Sequence, residues 1–478
     1  MRTRYNAPWI VSFDGDTPDP GHRLLRDGCV VVEDDRIVHV GRDCPVEVDR
    51  TVDTNAVITP GFISTHAHLN ESPADKSLGE DSDRRQFWST SLIDILPPKG
   101  AALAADTMRA CADFSVAEHL LAGCTTVLHM GAQSAYVADV AEQAGIRAYV
   151  AESFRSARWL TRDGRRVDYE WDEDAGWRGL EKATELVKSV QGRANGRITG
   201  FLNPAQVDTC TRELLTASAA AAQELDVPLT VHAAQSMVEF LEMTRRHGRT
   251  PIEWLDDIGF LGPRTILGHA IFTTGSPWVN FAGDDLGLLA RSGTAVAHSA
   301  WVFARNGIAL ESFARYRAAG VRVALGTDTV SQSMIESCRW AAIIGKIVER
   351  RSDAVTAAAV FTAATVDGAD AIGRPDLGRI APGAKADLVF WATDTMNMSP
   401  LRDPIRNIVY YAQPADIGSV LVDGEPVVED GEVHGLSRSQ VAAGVQAVGE
   451  SVWKQWPDVD WAGRTIEEHF PLSYPAAL

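Results

Sequence analysis

Between residues 57 and 328 short apolar runs recur, each closing on a small or polar residue and each followed by a stretch with helical spacing. The runs are VITPGFIST (57–65), CTTVLHM (124–130), RAYVAES (147–153), RITGFLNP (197–204), PLTVHAA (228–234), RTILGHA (264–270), TAVAHSA (294–300) and RVALGTD (322–328). Unbroken apolar character is what a strand buried on both faces requires, while intervening segments such as DTMRACADFSVAEHLLAG and TRELLTASAAAAQELD carry the helical period. Eight alternations of strand and helix predict an α/β architecture, a (β/α)8 TIM barrel. An open doubly wound sheet fits less well, because polar residues gather at the C-terminal end of nearly every run, where a barrel carries its chemistry.

The flanks have a different texture. Residues 20–57 alternate apolar and polar positions around DG and DD turns, and the same alternation returns in ADLVFWA (386–392) and GSVLVDGEPVVEDGEV (418–433). The two chain ends are therefore expected to build one small composite β-sandwich together. The expected division is 1–57 and 381–435 for the sandwich, 58–380 for the barrel, and 436–478 for a C-terminal helix and tail. That tail is expected to cover the barrel or to meet a neighbouring subunit.

Composition narrows the partners. With 45 Lys and Arg against 64 Asp and Glu the formal charge is −19, a surface that repels nucleic acid and anionic lipid. No apolar run approaches the roughly 18 residues of a membrane span. Six scattered cysteines without a C-x-x-C pair suit a reducing compartment, and the start MRTRYNAPWIVSFDGD lacks the long apolar stretch of a signal peptide. The expectation is a cytoplasmic protein acting on a small molecule.

Five of the twelve histidines end barrel runs: His66 and His68 in STHAH, His232 in VHAA, His269 in LGHA and His298 in AHSA. Asp328 in GTD ends the eighth. A histidine standing alone at a strand end is usually a packing residue, and that reading holds for His22, His39, His247, His434 and His469, which fall outside the ladder. His119 lies in a helix and reads as packing; His129 ends the second run and is a weaker candidate. A set converging on one mouth is another matter, because neutral imidazoles and a carboxylate are the ligands a divalent cation takes while leaving a position open for water.

ITPGFISTHAH, AEHLLAGCTTV, VHAAQ, LGHA, AHSAW, GTD, LGRIAPGAKADLVFW and VLVDGEPVVEDG together resemble the amidohydrolase superfamily, in its branch of aminohydrolases and triazine hydrolases, over nearly the whole chain. The resemblance implies one divalent metal ion, typically zinc and in some members iron or cobalt, held by His66, His68, His232 and Asp328. It further implies that His269 and Asp328 are catalytic, that His298 lines the substrate pocket, and that the protein is a homodimer or larger homo-oligomer.

One position departs from the branch. Its deaminases carry Glu three residues after the fifth-strand His, where this chain has Gln235, and an amide cannot shuttle a proton as a carboxylic acid does. Glu71, Glu152 or Glu239 is available as a substitute acid. Gln235, catalytic or substrate-positioning, suits a carbonyl electrophile better, so the leading expectation is cleavage of a carbonyl C–N or C–S bond in a small apolar amide, urea, carbamate or thiocarbamate. Phenylurea and thiocarbamate herbicides are examples, which would make the role xenobiotic degradation. The alternative is an aminohydrolase, a deaminase or dechlorinase, of a nitrogen heterocycle such as a triazine or purine. A non-catalytic scaffold is disfavoured by the complete ligand set. Trp88, Trp159, Trp171, Trp177, Trp278 and Trp301 are candidates for an apolar pocket wall, with Trp301, three residues past His298, foremost, and Ser299 and Asn306 the polar groups beside it.

Overall fold

The computed structural model describes residues 1–78, 80, 88–310 and 313–475; for 88–91 and 93 only the backbone is described. Eight parallel strands occupy the places of the eight apolar runs: Phe62–Ala67, Cys124–Gly131, Arg147–Phe154, Ile198–Gly200 continued by Asn203–Pro204, Leu229–Ala233, Thr265–His269, Ala295–His298 and Val323–Leu325. Bridges Leu202↔Leu229 and Gln206↔His232 join the fourth strand to the fifth, and Ala67↔Asp328 joins the eighth back to the first. The ring is thereby closed, with Asp328 N–H donating to His66 O at 2.9 Å and His68 N–H donating to Asp328 O at 2.9 Å. All but the ends of these strands are buried on both faces, as their unbroken apolar character requires.

The first apolar run does not form one strand. It divides at Gly61 into Ala56–Pro60, which joins the small domain, and Phe62–Ala67, which joins the barrel. A Cβ at Gly61 would stand 2.1 Å from Thr125 Oγ1, so only glycine lets the two sheets share this crossing.

The small domain is one nine-stranded sheet containing strands from both ends of the chain. Leu388–Ala392 pairs antiparallel with Ala56–Pro60, which in turn runs parallel to Arg2–Asp14. At the far end of the sheet order, Arg36–Gly41 bonds back to the segment ahead of Leu388: Ile37 N–H donates to Ala384 O at 2.8 Å. The sheet thus curls around its own apolar face, where Ile10, Val30, Ile37, Ile58, Leu388 and Phe390 pack.

A buried ionic cluster ties this domain to the barrel. Arg147, at the start of the third barrel strand, donates to Asp387 Oδ1 at 3.1 Å and also to Asp423, both in the small domain. The C-terminal helix Arg438–Val459 lies on helices Trp88–Ala102 and Ala105–Leu121, burying Val448, Val452 and Trp456 against Leu78, Leu103 and Cys111. All six cysteines are free. Among the described residues no helix is long and apolar enough to cross a membrane.

Candidate active site

His66, His68, His232, His269 and Asp328 meet at the C-terminal end of the barrel, where the strands hand over to loops. Several of these handovers are strained: His269 and Asp328 hold φ of +79° and +61°, left-handed values that non-glycine residues seldom adopt. His66 owes its place to two glycines. A Cβ at Gly268 would come within 2.8 Å of the His66 ring, and one at Gly326 within 2.8 Å of His66 Cβ. The small residues of LGHA and LGTD are therefore the room into which this imidazole fits.

The ring nitrogens define the chemistry. His68 Nδ1 is 2.8 Å from Met130 O and His232 Nδ1 is 2.6 Å from Ala205 O. A carbonyl only accepts, so each Nδ1 carries the proton and each Nε2 presents a lone pair. Those two Nε2 atoms face one another at 3.2 Å. His68 Nε2 lies 3.5 Å from Asp328 Oδ1, His66 Nε2 3.8 Å from the same oxygen, and His269 Nε2 3.7 Å from Asp328 Oδ2. Buried His66 Nε2 has no hydrogen-bond partner. Converging lone pairs, a buried donor atom without a partner and a carboxylate between them fit a divalent cation; the ligand atoms of His66, His68 and Asp328, and those of His66, His232 and His269, each lie within 4.8 Å of one another.

Electrostatics keeps the site ready. Burial, reinforced by the neighbouring imidazoles, pushes the pKa of His232 down to about 3 and those of His66 and His269 well below the ordinary value. Neutral imidazole is the ligand form. Burial pushes Asp328 up to about 6, in opposition to the attraction of His68.

The site opens into a cavity of about 740 Å³. Gln235 lines it, as do Glu71, Trp159, Phe303 and Asn306. Of the three substitute acids, only Glu71 reaches the cavity. Glu152 is held by Lys182 and the Ser134 N–H, and the Glu239 carboxylate accepts the backbone N–H groups of Ala234 and Gln235, the latter at 3.0 Å. Burial opposes ionisation of Glu71, but Lys99 at 3.4 Å and His68 at 3.8 Å hold its carboxyl below the usual range.

Two expected wall residues are absent from the cavity lining, though His298 stands near enough to His269 to act on its charge. His298 is buried against Phe313, ring centroids 6.3 Å apart, and Trp301 packs on Trp340 at 5.3 Å; neither lines the cavity. For Trp301 the reason is helical phase: within Ala300–Ala304, Phe303 and Trp301 project to opposite sides. Phe303, not Trp301, meets the site, its ring 4.6 Å from that of His269. Ser299 is likewise buried outside the lining. Trp159 does form wall, fixed by its Nε1–H bond to Asp208 at 2.8 Å, whereas Trp171, Trp177 and Trp278 are exposed and the side chain of Trp88 lies outside the described residues. His129 accepts the Leu69 N–H at 3.1 Å, and His119 lies 3.3 Å from Thr327 Oγ1 beside Asp328; both brace the site from behind. Arg155, Arg305 and Gln206 also line the cavity and were not picked out in the sequence, although Arg155 directly follows the third strand, a position that marks a mouth residue.

The model of the amidohydrolase family matches residues 57–427. The chain belongs to this family. Among its relatives, the 5'-deoxyadenosine deaminase of Methanothermobacter thermautotrophicus is 30% identical over 423 residues, 87% of this chain and 93% of that protein. The 5-methylthioadenosine/S-adenosylhomocysteine deaminase of Halobacterium salinarum is 32% identical over 416 residues, 86% of this chain and 90% of that protein. Two amidohydrolase-fold structures share the architecture. An adenosine deaminase from Xanthomonas campestris with bound zinc has a TM-score of 0.76 at 21% identity, covering 94% of this chain and 98% of that one. Atrazine chlorohydrolase from Arthrobacter aurescens complexed with zinc has a TM-score of 0.77 at 23% identity, covering 93% and 99%.

Proposed function

We propose that this amidohydrolase is a metal-dependent aminohydrolase that removes the exocyclic amino group of an adenosine-like nitrogen heterocycle as ammonia. The observation that carries the reading is the pair of buried triads that share His66, one with His68 and Asp328 and the other with His232 and His269, joined by the 3.2 Å approach of His68 to His232 and by His269 beside the second oxygen of Asp328. The relatives named as deaminases support it over the carbonyl and carbon–sulfur substrates that Gln235 suggested. Nothing in those names favours a herbicide-degrading role.

His66, His68, His232 and Asp328 would hold the metal, with zinc, present in both solved relatives, the first choice. A bound divalent ion supplies Lewis acidity that brings the pKa of water toward neutrality. Asp328 is placed to accept a proton at Oδ2, and His269 Nε2 to hydrogen-bond the oxygen that enters or the amine that leaves. Phe303 and Trp159 offer flat apolar walls for a ring. Gln235 can hydrogen-bond a ring nitrogen through its amide without transferring a proton to it. In the deaminase reading a carboxyl at this position would strengthen proton delivery.

The experiment compares ammonia release from 5'-deoxyadenosine and 5-methylthioadenosine with amine release from phenylureas and carbamates, for the wild type and Gln235→Glu. Ammonia from the nucleosides, increased in Gln235→Glu, is expected. A second reading, hydrolysis of a carbonyl C–N bond, is favoured by one feature: position 235 has no titratable group and neither Glu152 nor Glu239 can replace it. Amine release from ureas without any ammonia from nucleosides would establish that reading and overturn ours.

A further inference from the structure

Two of the six free cysteines, Cys29 and Cys44, belong to the small β domain and stand outside the active-site cavity. Cys29 lies in strand Gly21–Glu33, opposite Asn6 of Arg2–Asp14 on one side and Gly41 of Arg36–Gly41 on the other. Side chains alternate along a strand, so Val30 and Val32 enter the apolar core of the sheet while Cys29 and Val31 project from its other face. Both are nevertheless completely buried. What covers that face is the connection from Gly41 to Arg50. Gly21–Glu33 lies between Arg36–Gly41 and Arg2–Asp14, and Arg50–Asp53 pairs with the far edge of Arg2–Asp14, so residues 42–49 have to cross both strands in between. They cross on the Cys29 face: a Cβ at Gly41, which would share a side with Cys29, would stand 3.4 Å from Asp43 O. The crossing is tied at both ends, by His39 Nε2 donating to Asp43 O at 2.7 Å and by Arg2 N–H donating to Asp49 Oδ2 at 2.7 Å.

The crossing carries Cys44 onto Cys29. Cys44 is half-buried, its thiol 3.7 Å from Val46 O. After burial itself, Cys44 is the neighbour that does most to hold the Cys29 thiol protonated, at a pKa of about 11. The Arg4 guanidinium lies beside the same sulfur and acts in the opposite sense. A surface cavity of about 480 Å³, lined by Arg4, Asn6, Gly28 and Arg42 among others, opens next to the pair. Cys111, Cys124, Cys210 and Cys338 are buried, and among the described residues no second thiol acts on any of them.

We propose that Cys29 and Cys44 form a redox-modification site, a dithiol that a hydroperoxide converts to a disulfide and a thiol reductant restores, fastening the 42–49 crossing to the sheet beneath it. Cys44, the more accessible sulfur, reacts first. Its thiolate attacks the peroxide; an S–O bond forms as the O–O bond breaks, and the departing hydroxide takes up the thiol proton as water, leaving a sulfenic acid. The Cys29 sulfur then attacks that of Cys44. The S–S bond forms, the S–O bond breaks, and hydroxide leaves with the Cys29 proton as a second water. The two thiols give up two electrons and the peroxide takes them. Arg4 favours the Cys29 thiolate that the second step needs. The inference is independent of the reaction at the metal site.

In the test, the full-length protein is reduced, freed of reductant, exposed to hydrogen peroxide, alkylated in denaturant and mapped by mass spectrometry. A cross-linked peptide joining Cys29 to Cys44, lighter by two hydrogen atoms than its reduced halves, is expected. The thiol count should fall from six to four, six less the two in the bridge, and return to six with dithiothreitol. Closing this short loop in the unfolded chain should raise the Tm of the oxidised protein by about 2–5 °C. Cys44→Ser should neither cross-link nor gain Tm. Cys29→Ser should leave Cys44 as a sulfenic acid that dimedone traps, and Cys29→Ala serves the same purpose if the serine variant does not fold. Peroxide that leaves both thiols free, that over-oxidises Cys44 without a cross-link, or that joins other cysteines instead overturns the proposal. So does a cross-link with unchanged Tm, since nothing would then have been fastened.

Discussion

His68 and His232 point the Nε2 atoms of two neutral imidazoles at each other across 3.2 Å, with each opposite nitrogen bonded to a backbone carbonyl. Two lone pairs so placed repel unless a cation lies between them, and a divalent metal ion is the cation that this set of neutral imidazoles and a carboxylate fits. The expected consequence is that the isolated protein contains about one divalent ion per chain by elemental analysis, and that chelation lowers its Tm as linkage requires. His66→Ala and His232→Ala should lose metal and activity together; Asp328→Asn should lose activity even where metal is retained. Near-wild-type turnover in any of the three would disprove the assignment.

The two glycines beside His66 allow a sharper test. Gly268→Ala and Gly326→Ala each add a Cβ 2.8 Å from an atom of His66, in a barrel with little room to yield. Each is expected to displace the imidazole, lowering metal content below stoichiometry at a stability cost of about 1–3 kcal/mol. A crystal structure of Gly268→Ala with His66 unmoved and metal in place would contradict this.

Acid should weaken the protein before its carboxylates titrate. His22, in contact with Phe13 and Phe361 at the junction of the two domains, and His119, in helix Ala105–Leu121, are both pushed by burial to a pKa of about 4. Each binds its proton more weakly folded than unfolded. The stability contributed by burying them neutral is complete above about pH 6.5 and is lost as pH falls toward 4, on the order of 3 kcal/mol for each. Tm measured from pH 7.5 to 4.5 should fall through this window, and less steeply in His22→Gln. Parallel curves for the two proteins would show that His22 does not contribute.

Arg147 should matter for stability out of proportion to its distance from the chemistry. Arg147→Met leaves Asp387 and Asp423 buried with less compensation, although Lys385 still lies 3.2 Å from Asp423. A loss of about 3–5 kcal/mol is expected. It would be read as a lower denaturation midpoint, with kcat in the surviving folded fraction within a few-fold of wild type; an unshifted midpoint would mean that the cluster is not holding the domains together.

The strand ladder, and the histidines and aspartate that end it, were legible because they follow from local pattern. A strand buried on both faces must be apolar throughout, so the polar residues that end such runs, His66, His68, His232, His269 and Asp328, stand out against them. The small β domain was legible for a similar reason, since alternation survives even when the partner strand lies more than 300 residues away, as Ala56–Pro60 and Leu388–Ala392 do.

What the tertiary structure alone decided concerns directions and partners. The division of the first run at Gly61 depends on contact with Thr125, a neighbour that only the assembled barrel provides. Trp301 and Phe303 are equally apolar in sequence, and helix phase together with Trp340 determines which of them faces His269. Glu71, Glu152 and Glu239 are indistinguishable as letters; one lines the cavity, while the other two spend their oxygens on backbone N–H groups and a lysine. Arg155 directly follows the third strand, but that it lines the cavity near Glu71 emerges only from the assembled mouth. Periodicity records which side of an element is buried, whereas the pairing of a charge is a property of space, filled by whichever residues the closed barrel brings near.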